Sequence, residues 1–110
     1  MFSLGKPKFR VKRWSQNYAP NPAMLRLVLE HDGFRVNQWG DSPGAVFPTY
    51  KHPKMQSHWV VSGALEFTVS GEIYTLETGD QAFLDAETYY SMRVVSEDFA
   101  IYLVGEKVQK

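Results

Sequence analysis

The sequence predicts a small all-β protein, a sandwich or barrel of about nine short strands with one short N-terminal helix. Three observations carry this. Apolar and polar residues alternate in short runs, as in Phe34-Arg35-Val36-Asn37 and Leu65-Glu66-Phe67-Thr68-Val69, which is the period of a half-buried strand. Turn signals recur at short intervals: Ser62-Gly63, Ser70-Gly71, Thr78-Gly79-Asp80 and Ser96-Glu97-Asp98. Aromatic residues are plentiful, with 7 Phe, 6 Tyr and 3 Trp, and they suit a pleated surface.

Taken in order, residues 8–12 alternate as a strand, with Phe9 and Val11 turned inward and basic residues turned to solvent. Trp14 anchors its end, and residues 15–20 form a loop. Asn21 is a good N-cap and Pro22 suits the first helical turn. A helix over 23–31 follows, with Met24, Leu25, Val28 and Leu29 as its apolar stripe and Gly33 just past its end. His31 falls in the last turn, where the helix dipole favours a cation, and reads as surface structure. Residues 34–39 form the next strand, ending at a turn over 40–44. Strands are then expected from Ala45 toward Tyr50, over 58–61, 65–69, 73–76, 82–84, 91–95 and 99–104. The pair 65–69 and 73–76 makes a tight hairpin across Ser70-Gly71. Residues 105–110 read as a polar tail. The connections look hairpin-like, so antiparallel sheets are expected.

The 110 residues suffice for one domain, spanning 1–110, with a strand and helix over 8–33 and a barrel core over about 34–105. Net charge is zero, so no global field favours nucleic acid or an acidic membrane, and neither is an expected partner. Lys6, Lys8, Arg10, Lys12 and Arg13 concentrate positive charge near the N-terminus. They read as the solvated face of an edge strand, where such charges oppose aggregation. The absence of cysteine excludes disulfides, thiolate nucleophiles and cysteine-held metals. No long apolar run opens the chain, so neither a signal peptide nor a membrane span is expected, and a cytoplasmic location is the default. A small barrel leaves apolar surface uncovered, and packing as a homodimer is one remedy.

From Val36 to Gly105 the chain resembles the cupin family. The first cupin motif has the form G-x5-H-x-H-x3,4-E-x6-G; here Gly44, Tyr50, His52, Gln56 and Gly63 take its positions. The second has the form G-x5-P-x-G-x2-H-x3-N; here Gly79, Asp85, Glu87, Tyr90 and Val94 take them. The resemblance implies a double-stranded β-helix, a jelly-roll barrel. It also implies a metal held by three histidines and a glutamate, yet only His52 keeps its type. Tyr50, Gln56 and Tyr90 replace the other three.

Strand alternation places Gln56, His58 and Val60 on one face. If that face is inward, His58 joins the site. The expected ligand pocket is then Tyr50, His52, Gln56, His58, Phe67 and Tyr90, and an atypical metal set would be His52, Gln56, His58 and Tyr90. The cofactor is either none or a divalent or ferric metal ion. Trp59 points the other way, and a dimer interface would cover it. Asp85 and Glu87 offer a carboxylate at the barrel mouth that could meet a cationic substrate or serve as a base; otherwise they form a solvated turn. Three functions stay open. The first is a module binding a small molecule. The second is an isomerase- or dioxygenase-type enzyme using an atypical metal or His/Tyr acid–base chemistry. The third is an interaction domain.

Overall fold

A computed structural model describes residues 8–108; Lys6 of the basic stretch lies outside them. In chain order the elements are β1 (Phe9–Lys12), α1 (Pro22–His31), β2 (Phe34–Asp41), β3 (Val46–Tyr50), β4 (Gln56–Ser62), β5 (Leu65–Val69), β6 (Glu72–Leu76), β7 (Gln81–Leu84), β8 (Tyr90–Val94) and β9 (Ala100–Lys107). They form two antiparallel sheets, one ordered β1-β7-β4-β9-β2 and the other β3-β8-β5-β6. This is the two-layered all-β fold the alternation predicts.

The connections differ from the expected hairpins. Among the described residues, only β5 and β6 are neighbours both in the chain and in a sheet. Their Val69↔Glu72 register leaves Ser70 and Gly71 as the turn, at φ 52° and 79°. Both positions are left-handed, as a two-residue turn matched to strand twist requires. The other strands pair with distant partners, because burying two apolar faces requires the chain to pass from sheet to sheet.

The main core lies between the sheets. Val60, Leu65, Phe67, Leu76, Leu84 and Val94 are almost wholly buried there. A second core lies outside the five-stranded sheet, under α1. Asn21 caps that helix through Oδ1, which accepts from the amides of Ala23 and Met24 at 2.9 and 3.2 Å. Leu25 and Leu29 of the helix pack with Phe34, Val36, Trp59 and Leu103. Met24 and Val28 stay exposed, so the buried stripe is narrower than the sequence suggests.

Two expectations are corrected here. Trp59 needs no second copy to cover it. It is 8% exposed beneath the helix, and its Nε1 donates to the Gly79 carbonyl at 2.8 Å. Residues 105–107 are no tail: β9 runs through to Lys107, with Gly105 opposite Val36 and Ser57. Glycine stands there because Phe34 lies across it; an added Cβ would come within 2.9 Å of the Phe34 Cβ.

The basic edge behaves as expected. β1 is an outer strand carrying exposed Arg10 and Lys12. Beyond it, the Asp80 carboxylate accepts from the Trp14 and Glu77 amides and from Arg13, each at 2.9 Å. Trp14 then lies over Gly79, whose φ of 91° and missing side chain leave room for the indole.

Candidate functional site

β4 builds the floor of the site. Its inward positions Gln56 and His58 face a cavity of about 340 Å³ instead of the dry core. β9 adds Tyr102, Val104 and Glu106, and β2 adds Arg35, Asn37 and Trp39, each set at alternate positions of one strand. Phe47, His52, Tyr90 and Met92 close the far side.

His52 and Tyr90 form a pair, with His52 Nε2 2.7 Å from the Tyr90 hydroxyl. Burial lowers the His52 pKa, against the pull of the Glu106 charge. Burial also pushes the Tyr90 hydroxyl up to about 12, with Tyr50 adding to the effect. Tyr90 therefore keeps its proton at neutral pH. His58 sits edge-on to Phe67 at 5.2 Å and to Tyr90 at 5.9 Å, and stacks on Tyr102 at 6.4 Å. Burial, reinforced by His52, holds its pKa down at about 3, so the ring is neutral. The Tyr102 hydroxyl donates to Asp41 at 2.7 Å; burial and that bond raise its pKa.

Two polar atoms on the floor have no partner among the described residues. They are Gln56 Oε1 and His58 Nδ1, on side chains only 5% and 3% exposed. Leaving a buried polar atom unpaired typically costs about 1–3 kcal/mol; Thr88 Oγ1 is in the same state but does not line this cavity.

The structure thus brings together four of the six expected pocket residues: His52, Gln56, His58 and Tyr90. Tyr50 stands outside the lining, 58% exposed, with its ring edge on His52 at 5.0 Å. Phe67 is wholly buried behind His58 and supports it from the core. Asp85 and Glu87 do not line the cavity. Glu87 is exposed and pairs with Lys51 at 3.1 Å. The carboxylate at the cavity is Glu106, which sequence reading assigned to the tail. The alternation Tyr102, Val104, Glu106 would have found it had β9 been continued through Gly105.

A second cavity, of about 250 Å³, lies on the other side of the same sheet, under α1, and is lined by Trp14, Tyr18, Leu25 and Trp59 among others. Its indole nitrogens are both engaged, Trp14 Nε1 with the Tyr18 carbonyl and Trp59 Nε1 with that of Gly79, each at 2.8 Å.

Residues 39–105 match the family profile described as Cupin_2, cupin domain. The chain belongs to the cupin family. Among solved structures, a cupin 2 domain-containing protein from Halorhodospira halophila is similar at TM-score 0.68 and 15% identity, covering 96% of this chain and 81% of that one. A structure of DMSP lyases is similar at TM-score 0.61 and 25% identity, covering 68% of this chain and 38% of that one. The DMSP lyase DddQ from Ruegeria pomeroyi is similar at TM-score 0.62 and 20% identity, covering 71% and 40%. Matches to the lyases thus span well under half of their length. No curated protein matches.

The metal set usual for a cupin does not fit these residues. No group of three or more His, Asp or Glu converges for a metal among the described residues. Of the replacements, Gln56 is a neutral amide and Tyr90 a phenol, and the retained His52 directs its Nε2 to the Tyr90 hydroxyl at 2.7 Å. A divalent site needs several lone-pair donors converging on one point. No helix among the described residues is long and apolar enough to cross a membrane.

Proposed function

We propose that this cupin is a small-molecule-binding protein whose ligand occupies the cavity on the inner face of β4. The cavity of about 340 Å³, with the buried polar side chains of Gln56 and His58 on its floor, carries the reading. A pocket of that volume that mixes aromatic and apolar walls with a few polar groups is the usual form of a small-molecule site. The ligand meets the Gln56 side chain and fills the rest with apolar contact. A fragment library screened by ligand-observed NMR in chelator tests this. Hits are expected with the wild-type chain and lost with Gln56→Leu. A library yielding no hit of any chemistry would refute it.

One observation favours an enzyme as a second reading: the 2.7 Å contact between His52 and Tyr90. A neutral imidazole can take a proton from a substrate while a phenol of high pKa gives one back. The likeness to DMSP lyases makes DMSP the first substrate to assay. Turnover that survives chelator and disappears in His52→Ala would establish this reading over simple binding.

A further inference from the structure

Resting on the reading that the cavity holds a small molecule, we propose that the buried end of that molecule is a cation, the ammonium head of a small organic compound. The lining supports this from three directions. First, both tyrosine hydroxyls already have partners, Tyr90 in His52 and Tyr102 in Asp41, each at 2.7 Å. Those side chains, with Trp39 and Phe47, therefore offer a ligand mainly ring surface. Aromatic faces attract cations through the ring quadrupole, and cages of this kind hold methylated ammonium groups.

Second, the floor carries no positive charge to repel such a group: Gln56 is a neutral amide, and burial keeps the His58 ring neutral.

Third, the cavity has one carboxylate, Glu106, which is half-buried and makes no ion pair with any described residue. It lies opposite Gln56 in the β4–β9 register, and its charge pulls against the lowering of the His52 pKa. The opposing charge, Arg35, lies across from it in the β2–β9 register but is exposed at the mouth, where water and salt screen it. The role the sequence offered to Asp85 or Glu87 thus falls to a residue on another strand.

Choline, ethanolamine and dimethylbutanol (the uncharged carbon analogue of choline) separate the contributions when titrated into the full chain and followed by NMR. At least one of the two cations should bind about tenfold more tightly than dimethylbutanol. Choline ahead of ethanolamine would identify the rings as the main attraction; the reverse order would identify N–H bonds to Gln56 and Glu106. Glu106→Gln should reduce the preference for charge several-fold while its circular dichroism and melting temperature stay those of the wild type. Trp39→Ala, at a position 53% exposed and so safe for the fold, should weaken choline several-fold. Dimethylbutanol binding as well as both cations, or a preference left unchanged by both Glu106→Gln and Trp39→Ala, would overturn the proposal. Neutral or anionic fragments binding while neither cation does would also overturn it yet leave the binding function standing. Only a library with no hit at all removes both.

Discussion

His58 and Trp59 are consecutive residues of β4, both buried and both carrying ring nitrogens, yet they serve opposite sides of one sheet. Trp59 faces the helix, and its N–H is satisfied by the Gly79 carbonyl. His58 faces the barrel, and its Nδ1 has no partner. Each side has a cavity of comparable size. The difference lies in hydrogen-bond accounting. Where the polar atoms are paired, the side chains hold the fold together. Where they are left unpaired beside a cavity they cost stability, and it is there that the proposed ligand sits.

The largest expected effect falls on the helix side. Trp59→Ala removes a large buried ring and should cost about 3–5 kcal/mol in urea unfolding. A loss under about 1 kcal/mol would mean that α1 closes over the gap and that this core is soft.

Next comes a pH effect confined to the barrel side. Burial lowers the His58 pKa from 6.5 to about 3. Across that interval the unfolded chain takes up a proton that the folded chain refuses. Stability is therefore full above pH 6.5 and is lost as the pH falls toward 3, by up to about 1.4 kcal/mol per pH unit. The lowered pKa of His52 acts in the same direction. Unfolding curves taken between neutral pH and about pH 4 should show this slope, and it should flatten in His58→Leu.

The same variant at neutral pH sharpens the contrast further. Replacing an unpaired polar ring by an apolar one should stabilise the chain by about 1 kcal/mol while abolishing fragment binding. A clear loss of stability would place His58 with Trp59 among the structural residues. Smallest is the cap: Asn21→Ala should cost about 1 kcal/mol and leave binding unchanged, because it loosens only the cover over Trp59. Altered fragment affinity in that variant would show that the two sides of the sheet are coupled.

Much of the strand pattern was legible from alternation and turn chemistry, because those signals are local. Ser70-Gly71 announced its hairpin, and the spacing of Gln56, His58 and Val60 put His58 on the inner face. Legibility failed where a distant segment decided the outcome. Trp59 read as exposed because nothing nearby indicates that α1 folds back over it. Glu106 read as tail because Gly105 looks like a terminator, and only Phe34 packing across it reveals a strand position. Likewise the charge at Glu87 is neutralised by Lys51 across a loop, which no spacing rule anticipates. The motif positions located the neighbourhood of the site through His52, Gln56 and Tyr90. They missed the β2 and β9 walls, which lie mostly outside the two motifs.

The single chain-adjacent pairing, β5 with β6, has a consequence for how the molecule is made. A two-residue turn closes rapidly, whereas β2 must find β9 across most of the chain. Such topology places folding in the range of roughly milliseconds to seconds, with loop-closure entropy as the barrier. The β5–β6 hairpin closes over two residues, whereas the β2–β9 pair closes over the whole of the intervening barrel. Arg35 and Glu106 come opposite one another only when β2 has paired with β9. The cavity on the inner face of β4 is therefore complete only once β9 has been made and has paired with β2.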